Sequence, residues 1–443
     1  MALYSKRTFF GGETQTEVTV EGEALVISEW PAKKPEKRKV QRTEVADAFV
    51  REVRYFDACR KLERSGWQRV APIATSPVLS RPDLEAAARD SPEARLVFSD
   101  ALQSAGDAWG ELMPLSLARG ANTSRLTTRE LDLQRVLVGR FVTDATVFER
   151  GQGHVEWRDG FPYRLRVFDD PEPATLAMLR SSRLMQHVDA VHLGIDTTPA
   201  QASGADATSD VLVEWLLSNT GLRVHELFLG DSDQQLSWSA LPPVGRLGEL
   251  PTLRTLRVRG GNGALEGLNL PQLTSFAVET GGLRQEALTQ LATASWPALQ
   301  SLEVWFGDPN YGLTCGLAEV EAFLSKLHAP ALTGLGLRNC AFVNEVIPLV
   351  AAWPGLKQLK VLDLSMGGLQ PDDVPMLLSH APAFAHLERL DLSDNMLGTE
   401  RALLRSVALP PSHLGLDALR AVLVGQQRHH AEMDGERYAS VGE

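Results

Sequence analysis

The sequence is poor in cysteine. Its 443 residues include three, Cys59, Cys315 and Cys340, too few for a disulfide framework and without the spacing of a zinc site. A reducing compartment suits such a composition, so we expect a cytoplasmic protein. No run of about 18 apolar residues occurs, which predicts that no segment crosses a membrane. Residues 1–8 become polar too early for a signal peptide.

The common catalytic motifs are also missing. The sequence has no G-x-x-x-x-G-K-[ST] phosphate loop, no G-x-S-x-G nucleophile elbow and no H-E-x-x-H zinc motif. The glycine-rich stretch at 260–263 falls at a predicted turn, where glycine supplies positive φ angles. The neighbouring His429 and His430 cannot share one helix face as paired metal ligands. We therefore expect a protein that is not an enzyme and that uses no cofactor and no metal.

Positive charge is in short supply. The chain has 44 Lys and Arg against 56 Asp and Glu, a net charge of −12, which disfavours binding of the whole protein to nucleic acid or anionic lipid. Residues 1–70 differ from the rest, because they hold 14 basic and 11 acidic residues and are weakly positive.

A repeat is present. Residues 387–397 read L-x-x-L-x-L-x-x-N-x-L without a substitution. Side chains alternate along a strand, so Leu390 and Leu392 point to the same side. Asn395 falls where the chain turns, and buried backbone groups there need hydrogen-bond partners. One such unit cannot bury its apolar side chains alone, so further copies are expected to stack on it.

Seven degenerate copies precede this unit. They begin at Val188, Val224, Leu253, Leu273, Leu299, Leu332 and Leu359. Helical segments are predicted between them, for example at 283–294, 317–327 and 371–379. The pattern resembles that of leucine-rich repeat proteins, which implies an α/β fold: a horseshoe-shaped solenoid of about eight irregular repeats over residues 181–408.

Residues 1–72 predict a small α+β domain. Its expected elements are a hairpin of strands at 16–20 and 25–30, a basic loop at 33–39, a strand at 40–43 and a helix over 44–66. This order resembles a WGR domain, with Trp30 at the family tryptophan and with Pro31 and Ala32 in place of its Gly-Arg. The resemblance implies an opening strand at 6–9. In poly(ADP-ribose) polymerases the WGR domain contacts DNA ends, so the resemblance leaves open a nucleic-acid contact through residues 1–72.

Residues 80–180 predict helices at 81–92, at 93–104 and from 107 onward. The stretch 94–102 and Gly110-Glu111-Leu112 resemble the small helical domain found ahead of leucine-rich repeats in many bacteria. Trp157 and Phe161 belong to a W-x-x-G-F link that we expect to cover the open end of the repeats. The chain thus resembles a bacterial leucine-rich repeat protein with domains at 1–72, 80–180 and 181–408, and a C-terminal cap and tail at 409–443.

Residues between the inward leucines should face outward from the sheet. The central column is His192, Phe228, Arg257, Ala277, Glu303, Gly336, Asp363 and Asp391; the next is Gly194, Gly230, Arg259, Glu279, Trp305, Arg338, Ser365 and Ser393. From these columns we expect the middle of the face to be basic and aromatic and its C-terminal end to be acidic. Arg, Trp and Phe are frequent in binding hot spots. We therefore predict a protein partner docking across Phe228, Arg257, Arg259, Trp305 and Arg338, so that Trp305→Ala weakens capture without unfolding the protein. A solvated sheet without a hot spot is the alternative.

Three functional classes fit these features. The first is a non-enzymatic protein–protein interaction module, because solenoids present extended binding surfaces. The second is a nucleic-acid-associated protein that uses the WGR-like domain. The third is a bacterial immunity or defence component that neutralises a basic toxin. Fold analogy alone does not choose among them.

Overall fold

The computed structural model describes residues 2–7, 12–45, 48–70, 79–120, 126–149, 151–167, 173–194, 213–218, 222–230, 244–261, 265, 267–397 and 423–424. The chain forms two compact units, Met1–Val167 with Pro171–Asp189, and Phe168–Asp170 with Ala190–Glu443. The predicted regions 1–72 and 80–180 both fall mainly in the first unit. Most of the predicted tail at 409–443, with His429 and His430, lies outside the described residues.

An antiparallel sheet opens the first unit. Its strands are β1 (Ala2–Arg7), β2 (Glu13–Glu21), β3 (Ala24–Pro31), β4 (Lys39–Glu44) and β5 (Gln68–Arg69), in the order β4-β3-β2-β1-β5. Helix α1 (Ala48–Arg64) follows β4 and buries Tyr55 and Phe56 against the sheet. Gly66 follows two residues after the helix, and its φ of 81° suits glycine just beyond a helix C-terminus. The predicted hairpin and helix are confirmed.

Helices and a hairpin complete the first unit. They are α2 (Pro82–Asp90), α3 (Pro92–Ser104), α4 (Ala108–Arg119), α5 (Thr128–Phe141), α6 (Thr146–Glu149), the hairpin β6 (Gly153–Arg158) and β7 (Phe161–Val167), and α7 (Pro173–Ser181). Helix α5 starts with a capping box in which Thr127 and Glu130 satisfy each other's backbone N–H groups. Sequence analysis did not predict α5, because buried polar residues such as Asp132 and Gln134 interrupt its apolar pattern.

Trp157 and Phe161 lie in a buried aromatic cluster of the first unit. Its rings belong to Phe98, Trp109, Phe141, Trp157, Phe161 and His187, with neighbouring ring centres 5.1 to 6.3 Å apart. The indole N–H of Trp109 donates to the carbonyl of Gly160 at 2.6 Å. Gly160 has a φ of 80°, and a Cβ there would lie 2.7 Å from Met113. The W-x-x-G-F turn therefore fits closely against α4.

A parallel sheet forms the second unit. Its strands are β8 (Ala190–Leu193), β9 (Glu226–Leu229), β10 (Thr255–Arg259), β11 (Ser275–Glu279), β12 (Ser301–Gly307), β13 (Gly334–Cys340), β14 (Val361–Asp363), β15 (Arg389–Asp391) and β16 (Leu423–Val424), each paired with the next. Its helices include α8 (Gln285–Thr293), α9 (Leu317–Lys326), α10 (Val343–Ala352) and α11 (Val374–Phe384). The α/β class is confirmed. None of the helices within the described residues has the length and apolar composition to span a membrane.

Inward side chains of neighbouring strands are in register. The row is Val191, Leu227, Leu256, Phe276, Leu302, Leu335, Leu362 and Leu390. Each member is at most 1% exposed, and full burial of such a side chain stabilises the fold by about 1.5–3 kcal/mol. The apolar positions of the eight predicted repeats therefore share one interior.

Asn395 has the role that its motif position predicts. It is 1% exposed, and its Nδ2 donates to the carbonyls of Leu364 at 2.9 Å and Leu392 at 3.0 Å. Its Oδ1 accepts from the backbone N–H of Leu369 at 3.1 Å. One amide thus satisfies three backbone groups in two successive repeats, at a turn where the regular strand pairing has ended.

Candidate functional site

The predicted central column runs straight across the parallel sheet. Its members, His192, Phe228, Arg257, Ala277, Glu303, Gly336, Asp363 and Asp391, are paired in register from strand to strand. Each one follows a residue of the buried row. Because side chains alternate along a strand, the column lies on the side of the sheet opposite to the apolar interior.

Three of the predicted partner-binding residues, Phe228, Arg257 and Arg259, form one group with the carboxylate of Glu279. This group is called the Phe228 cluster. The guanidinium carbons of Arg257 and Arg259 lie 5.7 and 5.2 Å from the centre of the Phe228 ring. Arg259 Nε donates to Glu279 Oε2 at 2.6 Å, and Arg257 Nε donates to Oε1. The Glu279 side chain is fully buried, whereas that of Arg257 is 45% exposed. The cluster therefore carries one net positive charge and presents Arg257 to solvent.

The other two predicted residues form a second group, the Trp305 cluster: Trp305 and Arg338 with Glu303, Asp363 and Ser365. Trp305 Nε1 and Arg338 Nη1 both donate to Glu303 Oε1 at 2.6 Å. Arg338 Nε donates to Ser365 Oγ at 2.9 Å and lies 3.5 Å from Asp363 Oδ2. Burial lowers the pKa of Arg338, but the two carboxylates outweigh it and raise that pKa above its ordinary value. The cluster carries one net negative charge.

The expectation that Trp305 is an exposed docking residue is wrong. Its side of the strand is as predicted, yet it is 4% exposed. The guanidinium carbon of Arg338 lies 4.9 Å from its ring centre, and the ring packs with Met366. Alternation along a strand predicts the direction of a side chain but not what covers it. Truncating the Trp305 ring would therefore destabilise the fold and also change the shape of the outward face.

The predicted charge pattern needs a second correction. The middle of the face was expected to be basic, but Glu279 offsets one of the two arginine charges in the Phe228 cluster, and Glu303 and Asp363 outweigh Arg338 in the Trp305 cluster. Both glutamates occupy the predicted columns, but sequence analysis gave them no role. A glutamate at a column position next to an arginine on the adjoining strand was the signal available.

Two carboxylates of the central column, those of Asp363 and Asp391, lie at the C-terminal end of the face. Burial raises the pKa of Asp363, and the opposing effects of Arg338 and of hydrogen bonds from Ser365 are smaller. Burial also raises the pKa of Asp391, but hydrogen bonds from Ser393 and the charge of Arg389 outweigh it and lower that pKa. The two neighbouring carboxylates therefore respond oppositely to their surroundings.

The basic loop at 33–39 is only partly free to contact a ligand. Arg38 pairs with Glu17, and its guanidinium carbon lies 4.7 Å from the centre of the Trp30 ring. Trp30 Nε1 donates to Gln15 Oε1 at 3.1 Å. The lysines of the loop, Lys33, Lys34, Lys37 and Lys39, are exposed, and the side chain of Arg38 is 45% exposed. Trp30 and Arg38 are thus committed to contacts within the sheet.

Within the described residues, no group of three His, Cys, Asp or Glu side chains could hold a metal ion. Cys59, Cys315 and Cys340 are buried free thiols. Burial raises the pKa of all three, to about 12 for Cys315. A thiol is a good nucleophile only as the thiolate, so none of these cysteines is poised for catalysis.

Comparison with known proteins gives no family. No family model matches the chain, and no curated protein matches it. A crystal structure of a protein from Bacteroides fragilis is similar at 15% sequence identity, covering 92% of this chain and 94% of that one, with a TM-score of 0.45. A likeness at this level says nothing about function.

Proposed function

We propose that this protein is a non-enzymatic interaction module that binds a protein partner on the outward face of its parallel sheet. In this proposal residues 181–408 are a leucine-rich repeat solenoid, and the WGR-like and helical regions precede it. The observation that supports it most is the in-register column opposite a continuous apolar interior. Such a face is extended and lies on a firm core, as solenoid binding surfaces do.

The Phe228 cluster and the Trp305 cluster would contribute different groups to partner binding on this face. Phe228 and Arg257 offer aromatic surface and an exposed cation, the residue types frequent in hot spots. The Trp305 cluster supplies a negative group beside them, held by Arg338. Because ion pairs already fix these side chains, docking would immobilise few of them, and the entropy cost of binding stays low. A partner with paired acidic and basic groups complements this pattern.

Ala277 provides the sharpest test. It lies in the column between Arg257 and Glu303, and its side chain makes no hydrogen bond that a substitution could remove. Ala277→Arg therefore adds bulk and a positive charge to the face without removing a member of either cluster. The matched control is Ala322→Arg, which makes the same change at an exposed position of α9.

The experiment begins with affinity capture from the native cell, identification of the captured protein, and measurement of its Kd with both purified proteins. We expect Ala277→Arg and Arg257→Glu to weaken binding at least tenfold, a hot-spot effect. Ala322→Arg and Lys326→Glu, which reverses an exposed charge on α9, should leave the Kd unchanged. Equal binding by all four variants, with unaltered melting temperatures, would reject the face as the docking site.

A further inference from the structure

One arginine on the outward side of the parallel sheet differs from the others. Four lie there on the described strands β8 to β15: Arg257, Arg259, Arg338 and Arg389. Arg259 and Arg338, with side chains 13% and 21% exposed, are held by carboxylates within their clusters. Arg389 pairs with a carboxylate of its own, that of Asp391. Arg257 instead shares the single carboxylate of Glu279 with Arg259, so one of their two positive charges is unmatched.

The unmatched charge is accessible at Arg257. Its Nε donates to Glu279 Oε1, whereas no group of the described residues accepts a hydrogen bond from its two Nη atoms. The side chain is 45% exposed and rises from the sheet, so its exposed part includes the guanidinium end that carries these atoms. The carboxylate of Glu279 is fully buried, and the guanidinium carbon lies 5.7 Å from the centre of the Phe228 ring. Arg257 is thus held on its inner side and open on its outer side.

The surroundings of Arg257 favour a partner group of negative charge. Ala277, its in-register neighbour on β11, is small and leaves space beside the guanidinium. Beyond Ala277 lies Glu303, whose Cα atom is roughly 10 Å from that of Arg257 across two strand spacings. On the other flank, the carboxylate of Glu226 lies 3.1 Å from His192 Nε2. An acidic group of a partner is attracted to Arg257 and repelled by Glu303, which gives it one position in the middle of this face.

We propose that Arg257 binds a side-chain carboxylate of the protein partner, so that the partner docks with an acidic segment on the Phe228 cluster. This inference rests on the proposed function, because it needs the outward face to be the docking face. The carboxylate accepts two parallel hydrogen bonds from Nη1 and Nη2, a fork geometry that arginine offers and lysine lacks. It also matches the charge that Glu279 leaves over. Because Glu279 and Phe228 already hold the guanidinium, binding removes little side-chain entropy.

The probe for this proposal is a library of random-sequence peptides displayed on phage. The full chain is immobilised in parallel as the parent protein, as Ala277→Leu, which adds bulk to the face without adding charge, and as Arg257→Gln, which removes the charge. Peptides that the parent retains and Ala277→Leu loses are those that bind the face. Among these peptides we expect Asp and Glu to be enriched, and we expect Arg257→Gln to lose the acidic peptides.

A double-mutant cycle with one retained peptide isolates the ion pair. Replacing the acidic residue of the peptide by its amide should weaken binding about tenfold, and so should Arg257→Gln, because each removes a charge-assisted pair of hydrogen bonds. The two changes together should weaken binding little further, since they break the same interaction. Arg257→Lys keeps the charge but not the fork, so its affinity should lie between those of the parent and Arg257→Gln.

The matched control is Arg254→Gln. Arg254 is exposed and lies just before β10, where its guanidinium donates to two backbone carbonyls at 2.9 and 2.8 Å and touches neither cluster. This variant should bind the peptide as the parent does. Folding of Arg257→Gln is checked by its melting temperature; Arg259 still pairs with Glu279 in that variant, so the buried carboxylate keeps a charged partner.

Enrichment of acidic residues, together with coupled losses at Arg257 and at the peptide carboxylate, supports the proposal. Face-binding peptides without such enrichment, or peptides that bind Arg257→Gln as tightly as the parent, would overturn the carboxylate site and leave the docking face in place. If Ala277→Leu loses none of the peptides that the parent retains, the face itself does not bind, and the proposed function fails together with this inference.

Discussion

Replacing Asn395 with alanine tests whether the asparagine of the motif stabilises the fold through its hydrogen bonds to the backbone. The substitution removes two donated hydrogen bonds and one accepted bond at a side chain that is 1% exposed. A buried hydrogen bond contributes about 1 kcal/mol net, and a buried group left without a partner costs roughly 1–3 kcal/mol. With partial rehydration of the two carbonyls, we expect Asn395→Ala to cost about 3–5 kcal/mol.

Asn344 provides the matched control. It lies on α10, and its Oδ1 is buried without a hydrogen-bond partner among the described residues. Asn344→Ala removes an unsatisfied oxygen and improves helix propensity, so its cost should be below about 1 kcal/mol. Both substitutions remove the same amide, but only that of Asn395 makes hydrogen bonds within the described residues.

Hydrogen exchange followed by mass spectrometry measures the effect where it arises. Peptides from residues 359–397 report the free energy of local opening, which a global melt of a chain with two units would blur. Asn395→Ala should accelerate exchange in these peptides, while Asn344→Ala should not. A cost below about 1 kcal/mol for Asn395→Ala, or equal effects of both variants, would refute the idea that this amide joins successive repeats.

The face of the sheet supports two further predictions. Asp363→Asn should stabilise the protein at neutral pH, because the raised pKa of Asp363 means that its ionisation opposes folding. In urea titrations the stability gained by the variant should shrink as the pH falls through the folded-state pKa of Asp363. A variant that is less stable than the parent protein at pH 7 would contradict this. Glu279→Ala should cost about 3 kcal/mol, because it leaves the 13% exposed Arg259 beside an empty site. Adding Arg259→Met should restore part of that loss, and strictly additive losses in the double variant would argue against the pairing.

The parallel sheet could be predicted from sequence because its cause is local and repeated. Every copy of the motif places an apolar residue at the same strand position, so the row from Val191 to Leu390 could be listed before any coordinates were known. The outward column followed from the same alternation. Even the helices between strands came within a few residues, as for α9.

The burial of outward side chains and the ion pairs between strands could not be predicted in the same way. The burial of Trp305 depends on Arg338 and Met366, which lie one and two strands away. Glu279 became the centre of the Phe228 cluster because two arginines on β10 reach it from the adjoining strand. Such contacts join residues about 20 to 60 positions apart, and the periodicity of apolar residues in the sequence does not predict them.

Helix α5 was not predicted for a related reason. Its buried Gln134 and Asp132 disrupt the apolar periodicity that predicts a helix. Polar residues buried in a helix are unusual unless they are paired or needed.

Cysteine labelling along β11 tests the central claim most directly. The cysteines are introduced singly at Ser275, Phe276, Ala277 and Val278 in the full chain, whose own thiols are buried, and their reaction with a small maleimide is timed. The structure predicts rapid labelling at 275 and 277, which are partly exposed, and protection at 276 and 278, which are buried in the apolar interior. Equal rates at all four positions, or the opposite alternation, would contradict a sheet with one face in the core and the other free to bind.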